Sequence, residues 1–194
     1  MRAGCETVGY TPVVPSLRGQ LLIASPTLLD PNFQRTVVLI AEHTDEGAMG
    51  VVLNRPSDTS VAEAAPQIGP LVGDEEPVFV GGPVAPEGII VLAEFDDPED
   101  AAMVVVEDVG FASANADFEA LADGTRRARA YAGHAGWGPG QLEAEIEEEA
   151  WILEPPRREE LFFEDAERLW NAVLERKGGR YVLLGRMPLD PSMN

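Results

Sequence analysis

The sequence contains little cysteine and little histidine. Cys5 is the only cysteine among 194 residues, so an intramolecular disulfide is impossible, and such usage is typical of a reducing compartment. The two histidines and Cys5 supply too few ligands for a zinc site, and the acidic segments lack the Asp-x-Asp-x-Asp-Gly loop that wraps calcium. We therefore predict no metal centre and no bound cofactor.

Basic residues are also scarce. The chain has 14 Lys and Arg residues against 34 Asp and Glu residues, which gives a formal net charge of −20. A surface with this charge repels a phosphate backbone, so we expect no nucleic-acid partner. The exception would be a local basic patch formed by Arg126, Arg127 and Arg129, or by Arg157 and Arg158.

Long apolar runs are missing as well, since none approaches the roughly 18 residues of a membrane-spanning helix. We therefore expect a soluble, cytoplasmic protein with no membrane partner. The length suits one domain. Residues 1–16 contain several Gly and Pro residues and little periodicity, which predicts a mobile N-terminal arm before a single domain over residues 17–194.

Short apolar, β-branched runs separated by turn signals predict a fold rich in strands. We predict strands at residues 21–24, 36–42, 48–54, 78–80, 88–95, 103–107, 127–133, 151–154 and 181–184. The turn-like residues 44–47 make the second and third of these strands a hairpin.

Capping and periodicity predict helices between these strands. Ser60 and Glu63 have the spacing of a capping box, and Ser113 can cap a helix that stops at Gly124. The last helix is amphipathic, and Gly178 terminates it. Its apolar face contains Ala166, Leu169, Trp170, Val173 and Leu174.

Residues 132–151 are the most specific stretch, because a Gly-rich turn around Trp137 runs directly into an acidic helix. Pro139 suits the first turn of that helix. Leu142, Ile146 and Ala150 recur every four residues, which predicts one apolar stripe and a helix docked on the protein surface.

Trp137 and Gln141 are the first candidate site in this stretch. An aromatic ring on a glycine turn and an amide one helical turn later can line a pocket, where backbone N–H groups receive an anion. In the alternative, which we favour, Trp137 fills the core and Gln141 pairs with the backbone of the loop.

Two further pairs have a functional and a structural interpretation. His43 can be a general base oriented by Glu42, but adjacent strand residues face opposite sides, which favours a simple polar strand end. Arg55, next to Asn54, can bind an anionic ligand, but the excess of acid favours an ion pair with a carboxylate. No nucleophile elbow, phosphate-binding loop or dinucleotide fingerprint occurs.

Taken together, several segments resemble the bacterial YqgE/AlgH family over nearly the whole chain from Leu17. They are SPTLLDPNFQRTVVLIAEH, GAMGVVLNRP, FVGGPV, AGWGPGQLEAEIEEEAW and the closing MPLDPSMN. The resemblance implies an α+β fold, with a mixed β-sheet in a closed or bifurcated, barrel-like core and peripheral helices. One position departs from the family pattern, since His134 replaces the tyrosine of Gly-Tyr-Ala-Gly-Trp.

The family name carries a transcriptional-regulator label from alginate production, but the resemblance implies no biochemical activity. The best-marked helix contains five Glu residues between Glu143 and Glu149, which argues against DNA contact by that helix. Our first hypothesis is a non-enzymatic binding or indirect regulatory protein that acts through a protein partner.

The second hypothesis is a small-ligand-binding protein or an enzyme. Neither hypothesis specifies the oligomeric state. Its cleft would combine the loop from Asp30 to Arg35 with the polar strand ends and the turn before the acidic helix. The candidate residues are Asp30, Arg35, Glu42, His43, Asn54, Arg55, Trp137, Gln141 and Glu145. Convergence of these residues on one concave site would favour this hypothesis over the first.

Overall fold

The computed structural model describes residues 15–185, which form one 10-stranded sheet flanked by short helices. The strands are β1 (Leu21–Ala24), β2 (Val37–Thr44), β3 (Gly47–Val52), β4 (Pro56–Ser60), β5 (Pro77–Val80), β6 (Val84–Phe95), β7 (Met103–Val106), β8 (Val109–Phe111), β9 (Thr125–Trp137) and β10 (Trp151–Glu154). The α-helices are α1 (Val61–Ala64), α2 (Gly69–Val72), α3 (Phe118–Ala122), α4 (Gln141–Glu147), α5 (Arg158–Leu161), α6 (Leu169–Lys177) and α7 (Arg180–Leu184). Short 3-10 helices occupy Pro66–Ile68, Pro98–Asp100 and Ala166–Arg168.

Strand β9 organises the sheet, because it pairs with β3, β5 and β6. The main path runs β10-β1-β2-β3-β9-β6-β8-β7, and β4 and β5 branch from β9. The pairing of β5 with β9 is parallel, and the other pairings are antiparallel. The α+β prediction is therefore confirmed.

The two ends of the strand order approach each other, but the sheet does not close. The Arg18 guanidinium donates to the carbonyl of Val104 in β7, and a Cβ on Gly19 would lie 3.0 Å from the carbonyl oxygen of Val105. No ladder joins β7 to β1 or β10 within residues 15–185, so the sheet is not closed into a barrel. The barrel-like core is thus not confirmed.

Strand β1 and residues 37–41 of β2 are buried on both faces, as their continuous apolar runs predict. Leu21 and Leu39 belong to one core together with the apolar face of α6. Leu22 and Ile40 belong to a second core, which α4 covers through Leu142. A third core lies beneath α1 and α2.

Most predicted elements are present, including the β2–β3 hairpin, the capping box before α1 and the face of α6. The strand predicted at residues 181–184 is wrong, because this segment is helix α7, which packs against α6. A short apolar run alone does not distinguish a strand from a helix. The N-cap of α3 is Asp117 rather than Ser113, since the Asp117 carboxylate accepts from the amide of Ala120.

The chain ends fall partly outside the part of the chain that the structure describes. Residues 1–14 of the predicted arm and the tail from Met187 lie outside it. Ser16 and Leu17 are attached to the fold, because both hydrogen-bond to His43. Between residues 15 and 185, no helix has the length and apolar character needed to cross a membrane.

Candidate functional site

The Gly-Trp corner is the junction of β9 and α4. Strand β9 continues through Trp137, so the turn is shorter than predicted, and α4 begins at Gln141 rather than near Pro139. Gly140 adopts φ 70°, a left-handed conformation that suits glycine. Leu142 and Ile146 of α4 pack into the second core, which confirms the prediction of a docked helix, and Ala150 packs there from beyond the end of the helix at Glu147.

Glu145 holds this corner together by accepting three hydrogen bonds. Its Oε2 accepts from the indole Nε1 of Trp137 at 2.9 Å and from that of Trp151 at 2.8 Å. Its Oε1 accepts from Nε2 of Gln141 at 2.9 Å. The Gln141 Oε1 in turn accepts from the backbone amide of Gly138 at 3.0 Å. The side-chain groups of Gln141 and the two indoles therefore have partners inside the protein.

Three aromatic rings pack beside this network. Phe33 stacks on Trp137 with ring centroids 6.1 Å apart, and it meets Trp151 edge-on at 5.6 Å. The two indoles are 6.0 Å apart at an interplanar angle of 76°. Trp137 is 6% exposed, which confirms the core-packing interpretation of its ring. Phe33 and Trp151 complete the corner, and the sequence offered only their aromatic character as a signal.

His43 is buried, and its partner is Glu143 rather than the adjacent Glu42. The His43 Nε2 lies 2.7 Å from the Glu143 Oε1, and Nδ1 accepts from the Leu17 amide at 3.0 Å. A register shift between Ile40 and Glu42 reverses the alternation of β2, so His43 faces α4 and Glu42 is exposed. The His43–Glu42 dyad is therefore not formed.

This geometry assigns a structural task to His43. Because Nδ1 accepts from Leu17, the proton of the neutral ring sits on Nε2 and points at the Glu143 carboxylate. The imidazole connects the segment before β1 to helix α4.

The pKa of Glu143 is lowered, first by a hydrogen bond from its own backbone amide. Desolvation acts in the opposite direction, and the His43 ring adds a further lowering. A carboxyl with a lowered pKa in the folded state contributes stability above its ordinary value of 4.5 and loses it as the pH falls through the folded-state value.

We therefore expect Glu143→Gln to be less stable than the wild type at neutral pH, with the difference shrinking as the pH falls below 4.5. Urea unfolding at several pH values measures this difference. The exposed Glu147→Gln on the same helix is the control. A difference that does not change with pH would contradict the assignment.

Asn54 fixes the loop that precedes β2. Its Oδ1 accepts from the Val37 amide at 2.8 Å, and its Nδ2 donates to the Arg35 carbonyl at 2.9 Å. Asn54 is 7% exposed, so both backbone groups are satisfied by one buried amide. Arg35 adopts φ 55°, and its guanidinium lies 5.1 Å from the Trp170 ring centroid.

We expect Asn54→Ala to lower the free energy of unfolding by about 2 kcal/mol, because two buried backbone groups lose their partner. Asn32→Ala, an exposed substitution in the same loop, should change it by less than about 0.5 kcal/mol. Urea denaturation compares the two variants. Equal stabilities would show that the Asn54 side chain is not needed to hold this loop.

Within residues 15–185, Arg55 forms no ion pair, contrary to the interpretation that the acid excess favoured. Its Nη2 donates to the carbonyl of Gln34 at 3.2 Å, and no carboxylate pairs with it in the described part of the chain. Burial lowers the pKa of its guanidinium, while the charge of Asp30 acts in the opposite direction. Asp30 itself is exposed and accepts from the amide of Asn32 at 2.7 Å.

Three of the arginines considered as a basic patch are bound to carboxylates. Arg126, Arg127 and Arg158 converge on Glu94, whose side chain is only 4% exposed. Arg126 and Arg158 also contact Asp108. Their charges are thus compensated within the protein, which leaves little positive potential for a phosphate backbone.

An acidic hollow opens at the turn of the β2–β3 hairpin, beside the start of α4. Its volume is about 240 Å³. It is lined by Glu42, Thr44, Glu46, Gly47, Ala48, Met49 and Trp137. The carboxylates of Glu42 and Glu46 have no cationic partner within residues 15–185. Among those residues, no cluster of three or more His, Cys, Asp or Glu side chains is arranged to hold a metal ion.

The candidate residues thus fall into separate groups. Trp137, Gln141 and Glu145 form the packed corner, while Asn54 and Arg55 support the loop between β1 and β2. Phe33 joins the two regions through its ring contacts with the indoles. Of the candidate residues, Glu42 and Trp137 line the acidic hollow together.

Comparison with known proteins identifies the family of this chain. A family model described as AlgH-like matches residues 21–182. The chain belongs to the AlgH-like family. A UPF0301 protein of Thermobifida fusca is 39% identical over 190 residues, covering 92% of this chain and 96% of that protein. A UPF0301 protein of Streptomyces coelicolor is 40% identical over 187 residues, covering 93% and 97%. These names specify no activity.

Two solved structures share the fold of this chain. A crystal structure of a Corynebacterium diphtheriae protein superposes with a TM-score of 0.80 at 28% identity, covering 90% of this chain and 93% of that one. The solution structure of AlgH from Pseudomonas aeruginosa gives a TM-score of 0.68 at 29% identity, covering 94% and 98%. His134, the departure from the family pattern, is half-buried opposite Val84, and its Nδ1 lies 3.2 Å from the Ala135 carbonyl oxygen.

Proposed function

We propose that this chain is a cytoplasmic, non-enzymatic binding protein that acts through a protein partner and recognises a basic segment of that partner at the acidic hollow. Glu42 and Glu46 support this proposal, because they line the hollow and lack a cationic partner within residues 15–185. A Lys or Arg side chain entering the hollow would meet two carboxylates beside Trp137.

The proposal agrees with the net charge of −20, which steers a basic partner towards the protein and repels an acidic one. An indirect regulatory effect through such a partner needs no contact with DNA.

The packed corner gives the enzyme or ligand-binding hypothesis less support. Catalysis needs a polar group that can reach a substrate, whereas the indoles, Gln141 and Glu145 bond to one another. His43 is similarly occupied on both ring nitrogens.

Affinity purification of the tagged protein from its own cells, followed by native mass spectrometry, tests the proposal. We expect a stoichiometric protein partner whose recovery falls at high salt. The double substitution of Glu42→Gln and Glu46→Gln should lower the affinity about tenfold, since each exposed charge contact contributes about 0.7 kcal/mol.

The matched control is the double substitution of Glu75→Gln and Glu119→Gln, which removes the same charge from exposed positions elsewhere. This control should retain the partner. If both double variants lose the partner equally, net charge rather than the hollow explains the binding, and the proposal is wrong. A protein that carries only a reproducible small-molecule mass would favour the ligand-binding hypothesis.

A further inference from the structure

A second cavity lies between the end of α4, strand β10 and helices α6 and α7. Its volume is about 380 Å³, within the range of small-molecule pockets, and it shares no lining residue with the acidic hollow. Its apolar walls are formed by Ile146, Trp151, Ile152, Leu153, Tyr181 and Leu184. The polar lining residues are Ser25, Glu149, Lys177 and Arg180.

Charge at this cleft is the reverse of that of the protein as a whole. Two cations and one carboxylate line it, in a chain whose acidic residues outnumber its basic ones by more than two to one. The carboxylate, Glu149, is 86% exposed and lies 4.0 Å from Arg180, which is itself 71% exposed. An ion pair this exposed is weak, and only Nη2 of Arg180 donates elsewhere within residues 15–185, to the Tyr181 hydroxyl at 3.3 Å, so the other guanidinium donors can face an anion.

Lys177 supplies a second donor from the wall of the cleft. Its Nζ binds the carboxylate of Glu154 and lies 3.4 Å from the carbonyl oxygen of Leu153. An ammonium group has three donors, and the contacts within residues 15–185 use two of them, so one can face a ligand. The Lys177 Nζ also lies 4.9 Å from the ring centroid of Tyr181, which orients it along the cleft wall.

We infer that this cleft binds a small amphipathic carboxylate, with its hydrocarbon part against the apolar walls and its carboxylate beside Arg180 and Lys177. Apolar walls with a few donors at one edge suit a ligand that has one charged end. Burial of the hydrocarbon part supplies most of the affinity, and the cations select a carboxylate over an alcohol of the same length.

Titration of the full-length protein with octanoate, followed by calorimetry and by the amide NMR signals of α6 and α7, tests this inference. We expect saturable binding of octanoate, with binding of 1-octanol and of acetate each weaker by about tenfold or more. Lack of saturable octanoate binding, or equal binding of 1-octanol, would overturn it.

Neighbouring positions on α7 provide matched variants. Leu184 lines the cleft, whereas Leu183 is 68% exposed, so Leu184→Trp should fill the cavity and Leu183→Trp should not. We expect Leu184→Trp to weaken octanoate binding about tenfold and Arg180→Gln to weaken it about threefold, with Leu183→Trp unchanged.

Arg180→Gln keeps the test decisive if Leu184→Trp fails to fold, because the Arg180 side chain is exposed. Binding that survives both cleft substitutions, or that is lost equally in Leu183→Trp, would place octanoate elsewhere and overturn the inference. Loss of the protein partner in the Glu42 and Glu46 experiment leaves this result unaffected, since the sites share no residue.

Discussion

Trp137→Ala should lower the free energy of unfolding by about 3–5 kcal/mol, the largest effect that we expect of a single substitution at the corner. The ring is 6% exposed and packs against both Phe33 and Trp151, so its removal leaves a cavity beneath α4. Urea denaturation followed by far-UV circular dichroism measures the loss. An unchanged unfolding midpoint would contradict this prediction.

Trp137→Phe separates the two contributions of the indole. Phenylalanine keeps an aromatic ring against Phe33 but removes the N–H that donates a hydrogen bond to Glu145. We expect a loss smaller than that of Trp137→Ala, because most of the cost comes from lost packing. Losses of equal size would mean that the hydrogen bond, rather than the ring volume, holds the corner.

Glu145→Ala should cost about 2–4 kcal/mol, because two indole N–H groups at the edge of the core lose their shared acceptor. Both Nε1 atoms lie within 2.9 Å of the same carboxylate oxygen. Thermal and urea unfolding of the purified variant measure the change.

The control for this substitution is Glu147→Ala, which lies on the same helix with an exposed side chain. It should change the free energy of unfolding by less than about 0.5 kcal/mol. If both substitutions lower the free energy of unfolding equally, the effect of Glu145→Ala reflects helix propensity or charge rather than lost hydrogen bonds to the two indoles. A double-mutant cycle with Trp137→Phe then measures the coupling directly.

Much of the fold could be predicted because local sequence patterns reflect burial. The apolar runs of β1 and β2 and the four-residue stripe of α4 each indicate which faces are covered. The run at residues 181–184 misleads because neither its length nor its composition distinguishes a strand from a helix, and none of its residues is fully buried.

The candidate site could be predicted only in part. Alternation along β2 correctly separates Glu42 from His43, but the β-bulge that turns His43 towards α4 has no clear sequence signal. Its partner Glu143 lies 100 residues away. Similarly, Arg55 has no ion pair within residues 15–185 despite the acid excess, since the position of a neighbour decides pairing and composition does not.

The sequence by itself determined the charge of the protein, the presence of its main strands and helices, and the apolar face by which α4 docks. These follow from composition and from periods of two and 3.6 residues, which act over short distances along the chain. Only the tertiary structure decided that Glu145 joins two indoles, that His43 binds Glu143, and that Glu42 and Glu46 lack a cationic partner within residues 15–185. Such contacts depend on sheet register and on the packing of distant segments, and a local pattern contains no information about either.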